Sequence, residues 1–123
     1  MKLHAEQGSG NYIQSVQGTT VVISGTTYTG HLIVSPERII TGWQPRPLES
    51  LTIDDFAAAL ELEPELILFG TGTVHRFAGN RLVTGIMGRG VGFEVMATAA
   101  ACRTYNVLAG EDRRVVAALL LAP

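Results

Sequence analysis

The sequence predicts an α/β fold in a single domain, on three observations. The chain has 123 residues, a length that fits one domain. After a strand-rich first half, its second half alternates apolar runs and helical periods in the order strand, helix, strand, helix, strand, and such alternation argues for a sheet with parallel pairs covered by helices. The last of those strands, Arg114 to Leu121, is apolar on both faces, which places it centrally in the sheet. Apolar residues make up 46% of the chain and charged residues only 16%, which excludes disorder and points to a large core, an apolar associating surface, or both.

Residues 1–11 are polar, contain Gly8 and Gly10, and read as a loose tail before a domain over 12–123. Short strands follow from Tyr12 to Trp43. Val21-Val22-Ile23-Ser24 leads through Gly25-Thr26 into Thr27-Tyr28-Thr29, and glycine at the first turn position suits a two-residue type II′ hairpin, because that position needs φ > 0. His31 to Ser35 and Ile39 to Trp43 flank a Pro36-Glu37 turn. Pro45 and Pro47 then interrupt regular structure. A helix starts at Thr52, which can cap it. Asp55 stands three residues on, Leu51 and Phe56 hold the hydrophobic-staple positions, and Ile53, Phe56, Ala57 and Leu60 mark the buried face. Pro64 ends this helix.

Leu66 to Phe69 is a buried strand stopped by Gly70-Thr71-Gly72. A second helix is expected over Asn80 to Gly88, with Leu82, Val83 and Ile86 inward and Gly90 as the stop. Val91 to Met96 is a strand. Thr98 can cap a third, Ala-rich helix to about Ala109. Its inner stripe is Ala101, Tyr105 and Leu108, with Cys102 beside them.

Charge and composition exclude several function classes. Nine basic and eleven acidic side chains are spread without a block of either sign, so no basic patch marks a nucleic-acid binder. The longest apolar run, Val115 to Ala122, falls far short of the roughly 20 residues that span a bilayer. The N-terminus has no apolar core of a secretory signal and no Arg-rich transit character, and the one cysteine cannot form an internal disulfide, so the expected location is the cytoplasm. His4, His31, His75 and Cys102 show no metal-ligand spacing, and neither a metal nor a cofactor is expected.

Five stretches could carry chemistry or recognition. Gly70-Thr71-Gly72 follows a buried strand, and ligands of open α/β sheets bind at the carboxyl ends of strands. It is either a site where backbone N–H groups cradle an anion or a tight turn that needs φ > 0. His75 and Arg76, just beyond, could supply a base and an anion contact, or be solvated loop side chains. Thr98 opens the third helix near the same edge. Cys102, placed in the first turn of that helix, is either a thiol activated by the helix N-terminus or a small core residue. Trp43, followed by Gln44-Pro45-Arg46-Pro47, is either an interface anchor or the residue closing one end of the core. Gly88-Arg89-Gly90-Val91-Gly92 precedes a strand and reads as a helix stop. No catalytic residue is assigned.

Leu68-Phe69-Gly70-Thr71-Gly72, the stretch from Gly92 to Thr98, Ala101 to Leu108, and Arg114 to Leu119 together resemble the family of the complex I assembly factor 3, which also includes small bacterial proteins of unknown function. The similarity runs from about Tyr12 onward, and Gly92 to Leu119 is its most specific part. The resemblance implies a three-layer β/β/α-like architecture, with a mixed central sheet, helices on one side and extra strands on the other. It implies no established catalysis, and a role in binding other proteins or self-association. One departure is Asp112, where relatives often carry glycine; the loop there is expected to differ in shape.

Overall fold

The computed structural model describes residues 10–122. Three short strands, β1 (Ile13–Gln17), β2 (Thr20–Ile23) and β3 (Thr26–Thr29), form an antiparallel sheet in that order. A second sheet holds β4 (Leu32–Val34), β5 (Ile39–Thr41), β6 (Leu66–Gly70), β7 (Gly92–Met96) and β8 (Val115–Leu119) in the order β5-β4-β8-β6-β7. β8 is central and buried along its whole length, as its two-sided apolar sequence requires. It pairs parallel to β6 and antiparallel to β4, while β7 pairs parallel to β6 at the edge.

The helices are α1 (Ala57–Leu60), led by a 3₁₀ turn Ile53–Phe56, then α2 (Asn80–Met87) and α3 (Thr98–Gly110). The mixed sheet and the extra strands match the expected layers, but the helices do not share one side. On one face of the five-stranded sheet, Leu68, Ala117 and Leu119 pack with Ala101 and Tyr105 of α3 and with Ile13 and Ile23 of the small sheet. On the other, Phe69, Phe93 and Val116 pack with Phe56 and Ala59 of the first helical segment and with Leu82 and Ile86 of α2. Crossover handedness accounts for the split. The connections β5→β6 and β6→β7 advance across the sheet in one direction, and β7→β8 returns. Right-handed crossovers of opposite direction put their helices on opposite faces.

Several local expectations shift by a residue. The β2–β3 turn is Ser24-Gly25, not Gly25-Thr26, and both residues have positive φ (48° and 88°), the signature of type I′. Ser24 Oγ accepts the Tyr12 N–H (3.1 Å), which helps hold a serine in that conformation. In the first helical segment Phe56 is buried and Ile53 and Leu60 half-buried as expected, but Ala59 takes the inward place expected of Ala57, because a 3₁₀ turn advances the face by three residues per turn rather than 3.6. Asp55 accepts the Thr52 N–H (2.9 Å), as an acid three residues into a helix start does.

Of the expected tail, residues 1–9, His4 among them, lie outside the described residues. Asn11 belongs to the domain: its side chain donates to the Ser35 carbonyl (2.9 Å) and its own carbonyl accepts the Tyr105 hydroxyl (2.9 Å). At the far end of α3, the Asp112 N–H bonds to the Ala109 carbonyl and the Arg113 N–H to Leu108, the paired bonds of a Schellman motif. Asp112 takes φ 61° there, so the aspartate adopts the left-handed conformation for which glycine is suited.

Candidate functional site

The chain after β6 leaves toward α2 on one face and the chain after β7 leaves toward α3 on the other. The carboxyl ends of β6 and β7 are therefore a topological switch point, where open α/β sheets place ligands. Gly70, Thr71, Gly72 and Thr98 all lie here. What they build is a latch. Thr71 extends the ladder by donating its N–H to the Met96 carbonyl (2.9 Å). Gly72, at φ 102°, donates to Thr98 Oγ1 (2.8 Å), and its carbonyl accepts the Thr98 N–H (2.8 Å). The Thr98 hydroxyl hydrogen goes to the Leu120 carbonyl (2.7 Å), and the Leu120 N–H returns to Gly70 (2.9 Å).

Thr98 is accordingly not the helix cap. Ala97 holds that position with extended dihedrals, and the Thr98 hydroxyl is spent between β6 and the segment after β8. The edge is closely packed at Gly70, where a Cβ would lie 2.8 Å from Thr98 Oγ1 and 2.9 Å from Thr98 Cα, and open at Gly72, where a Cβ would meet nothing within 4 Å. The glycine at 70 answers to close packing and the glycine at 72 to a positive φ. The Gly72 N–H, a donor that an anion would need, is already bound.

Thr71, 5% exposed, organises the loop that follows. Its hydroxyl donates to the Val74 carbonyl (2.7 Å) and accepts the Arg76 N–H (3.1 Å). His75 and Arg76 are exposed. The His75 ring sits 6.4 Å from that of Phe77, and Arg76 reaches Glu49 at 3.9 Å. Cys102 lies in the second turn of α3, not the first, and is 5% exposed. Burial, which favours the protonated form, pushes its thiol up to about 12, against a smaller opposing pull from Arg103. Among the described residues, no cluster of three or more His, Cys, Asp or Glu could hold a metal ion.

Trp43 closes the core. It is 9% exposed, its indole N–H donates to the Asp55 carbonyl (2.8 Å), and its ring meets Phe56 edge-on at 5.5 Å. Phe56 in turn meets Phe69 at 5.2 Å and Phe93 at 5.4 Å, edge-to-face pairs worth about 1 kcal/mol each beyond their buried area. The following Arg46 is exposed and tied to the helix start: its guanidinium bonds Thr52 Oγ1 (2.7 Å) and the Asp55 carboxylate (3.0 Å). Burial raises the Asp55 pKa, but the N–H groups of Thr52 and Arg46 and the Arg46 charge outweigh it and hold the carboxyl below its ordinary value.

The exposed apolar surface is elsewhere. Phe77 is 89% exposed and Val74 59% exposed, both on the loop between β6 and α2, and Met87 at the end of α2 is 55% exposed. A groove of about 550 Å³ runs beside this loop, with Leu48, Glu49, Leu51, Phe77, Arg81 and Leu82 among its lining residues. Sequence reasoning passed over Phe77. The available signal was an aromatic residue in a loop, outside the period of either flanking element. A second cleft, about 300 Å³, lies at the opposite end of the sheet. Polar groups along it serve the fold: Asn106 spans the Ile13 N–H and carbonyl (2.9 and 2.8 Å), and Arg113 pairs with Glu65 (3.2 Å).

The sequence aligns with named proteins along most of its length. It is 29% identical to human NADH dehydrogenase [ubiquinone] 1 alpha subcomplex assembly factor 3 over 123 residues, covering 98% of this chain and 66% of that protein, so the chain spans about two thirds of the relative's length. It is 37% identical to an uncharacterised protein of Rhodobacter capsulatus, over 82% of this chain and 77% of the other. A crystal structure of a Bordetella parapertussis protein superposes with a TM-score of 0.82 at 32% identity, covering 91% of this chain and 96% of that one. The family described as "Protein of unknown function (DUF498/DUF598)" matches residues 13–120, and this chain belongs to it.

Proposed function

We propose that this chain is a protein-binding domain of the assembly-factor type that performs no chemistry of its own, and that it docks its partner through the loop carrying Phe77. The observation that carries this reading is the 89% exposure of a phenylalanine beside a groove of mixed polar and apolar lining. Exposed aromatic side chains with an adjoining groove are the usual anchors of protein interfaces. The latch beneath the loop supports the same reading, because it fixes the loop's base to β6 and α3. The name of the human relative, an assembly factor, fits a partner-binding role. The buried, unpaired cysteine fits a reducing compartment such as the cytoplasm.

A photo-reactive amino acid placed at position 77 in the producing cells tests the proposal. Cross-linking to one stoichiometric protein, lost when the same group is placed on exposed Arg103, is the expected outcome. Complete recovery of all partners by a Phe77→Ser variant would remove this surface as the docking site.

A further inference from the structure

We infer that the outer edge of β7 is a second docking surface, distinct from the Phe77 loop, and that it takes an extended segment of a partner protein with a basic residue opposite Glu94. β7 ends the five-stranded sheet and pairs only with β6. The Gly92 N–H bonds the Glu65 carbonyl (2.9 Å) and the Met96 carbonyl accepts the Thr71 N–H (2.9 Å), so Gly92, Glu94 and Met96 turn their backbone groups toward β6. The N–H and carbonyl groups of Phe93 and Val95, the residues between, point out of the sheet and have no partner among the described residues.

The opposite edge of the same sheet is guarded against pairing. β5 has three residues and stands between Pro36 and Pro45, and short edge strands and prolines are the usual protection. β7 has five residues, with no proline or lysine among them and no bulge in its pairing with β6. Donors and acceptors repeating along a line at about 7 Å are matched by the backbone of another strand, which makes the occupant a polypeptide. Glu94 selects its sequence. It is the one charged side chain of β7 and is exposed, and neither Arg89 before the strand nor Arg103 on α3 lies within ion-pair distance of it. A residue directly opposite on an added antiparallel strand would stand about 5 Å away, where a base is favoured and an acid is not. A second copy is the poorer occupant, because pairing β7 with β7 along its length sets Phe93 against Val95 and Glu94 against Glu94.

Titration of the full chain, labelled with nitrogen-15, by two synthetic peptides of about nine residues tests the inference. Each peptide alternates threonine and valine around a central lysine or a central glutamate. The nitrogens of its outer edge are methylated, so that it pairs through one edge only. The Phe93 and Val95 amide signals are expected to shift, with the lysine peptide bound about tenfold more tightly than the glutamate peptide and the difference shrinking with salt. The preference should reverse in Glu94→Lys. Both peptides should lose binding in Val95→Pro, which removes an outward N–H and no bond of the β6–β7 ladder. Melting by circular dichroism checks that the variants fold, and the reversal in Glu94→Lys decides the case if the proline variant does not. Equal binding of the two peptides to both the native and the Glu94→Lys chains would overturn the choice of a basic segment. Amide signals of Phe93 and Val95 that stay unmoved by either peptide would overturn the docking edge itself. Concentration-dependent self-association of the native chain, lost in Val95→Pro, would give the edge to a second copy and overturn the inference. The Phe77 loop is untouched in every variant, so these outcomes leave its own test independent.

Discussion

Residues 70–72 and 73–77 belong to one connection out of β6, yet they are opposite in kind. The first three are buried, and their backbone groups bond to β7, to the start of α3 and to Leu120. The next five are exposed, with Phe77 the extreme. The difference teaches that glycines after a buried strand do not by themselves mark a ligand loop. Here they let one segment pack against Thr98, and the surface open to a partner starts where the glycines stop. The largest expected effect comes from breaking the packed half. Gly70→Ala adds a Cβ 2.9 Å from Thr98 Cα, a backbone atom, so α3 must shift. Destabilisation of about 3 kcal/mol, at the upper end of overpacking, is expected in urea titrations. Unchanged stability would mean that the end of β6 is loosely seated.

Thr98→Val keeps the shape and removes the latch. The Gly72 N–H and the Leu120 carbonyl would each lose a partner at a site 4% exposed. Leaving two such groups unsatisfied costs about 2 kcal/mol. Thr98→Ser, which keeps the hydroxyl, should recover most of it, and failure to recover would credit the methyl rather than the hydrogen bonds. A smaller effect of opposite sign is expected at the far end of the same helix. Asp112→Gly relieves a left-handed aspartate, worth about 1 kcal/mol, against roughly half that lost to glycine's freedom in the unfolded chain. A net gain of about 0.5 kcal/mol in the same titration is expected, and any loss would show that the aspartate side chain matters to the cap.

Much of the fold was legible because periodicity and turn residues report it directly. Val115 to Leu119 reads as central from its two-sided apolar run, and Leu82 and Ile86 read as inward from their spacing. The side on which α3 packs was not legible, since it follows from strand order and crossover hand, which no local window contains. The site was less legible still. Thr98 has the sequence context of a helix cap and becomes a bridge only because Gly72 and Leu120 arrive from distant parts of the chain. Trp43 carried an interface and a core reading of equal local plausibility and Cys102 read first as a small core residue; the burial of both is a tertiary property. Phe77 is a different case: an aromatic residue that no helical or strand period claims and that the fold leaves outside.

The latch has a titratable neighbour, and pH sharpens the contrast further. His31 Nδ1 accepts the Leu121 N–H (2.8 Å), one residue beyond the Leu120 carbonyl held by Thr98. Burial lowers the His31 pKa from 6.5, and the accepting nitrogen must be unprotonated. The unfolded chain therefore takes up the proton first as pH falls. The contribution of His31 is complete above about 6.5 and is lost as pH drops through the lower folded value. Urea midpoints should decline over that window in the native chain and decline less in His31→Gln. Equal decline in both would assign the pH dependence to other groups.

The smallest expected stability change belongs to the exposed half. Phe77→Ser removes a large apolar side chain, which in a core would cost several kcal/mol. At 89% exposure there is little buried area to lose, and the unfolding midpoint should move by no more than about 0.5 kcal/mol. A protein that keeps its stability while giving up its partner would separate the two halves of the connection cleanly, one serving the fold and the other serving recognition. A loss of about 2 kcal/mol or more would instead mean that the ring packs into the groove lined by Leu48 and Leu51 in solution. The open docking surface would then be a closed one, and the assignment of the loop to a partner would fail with it.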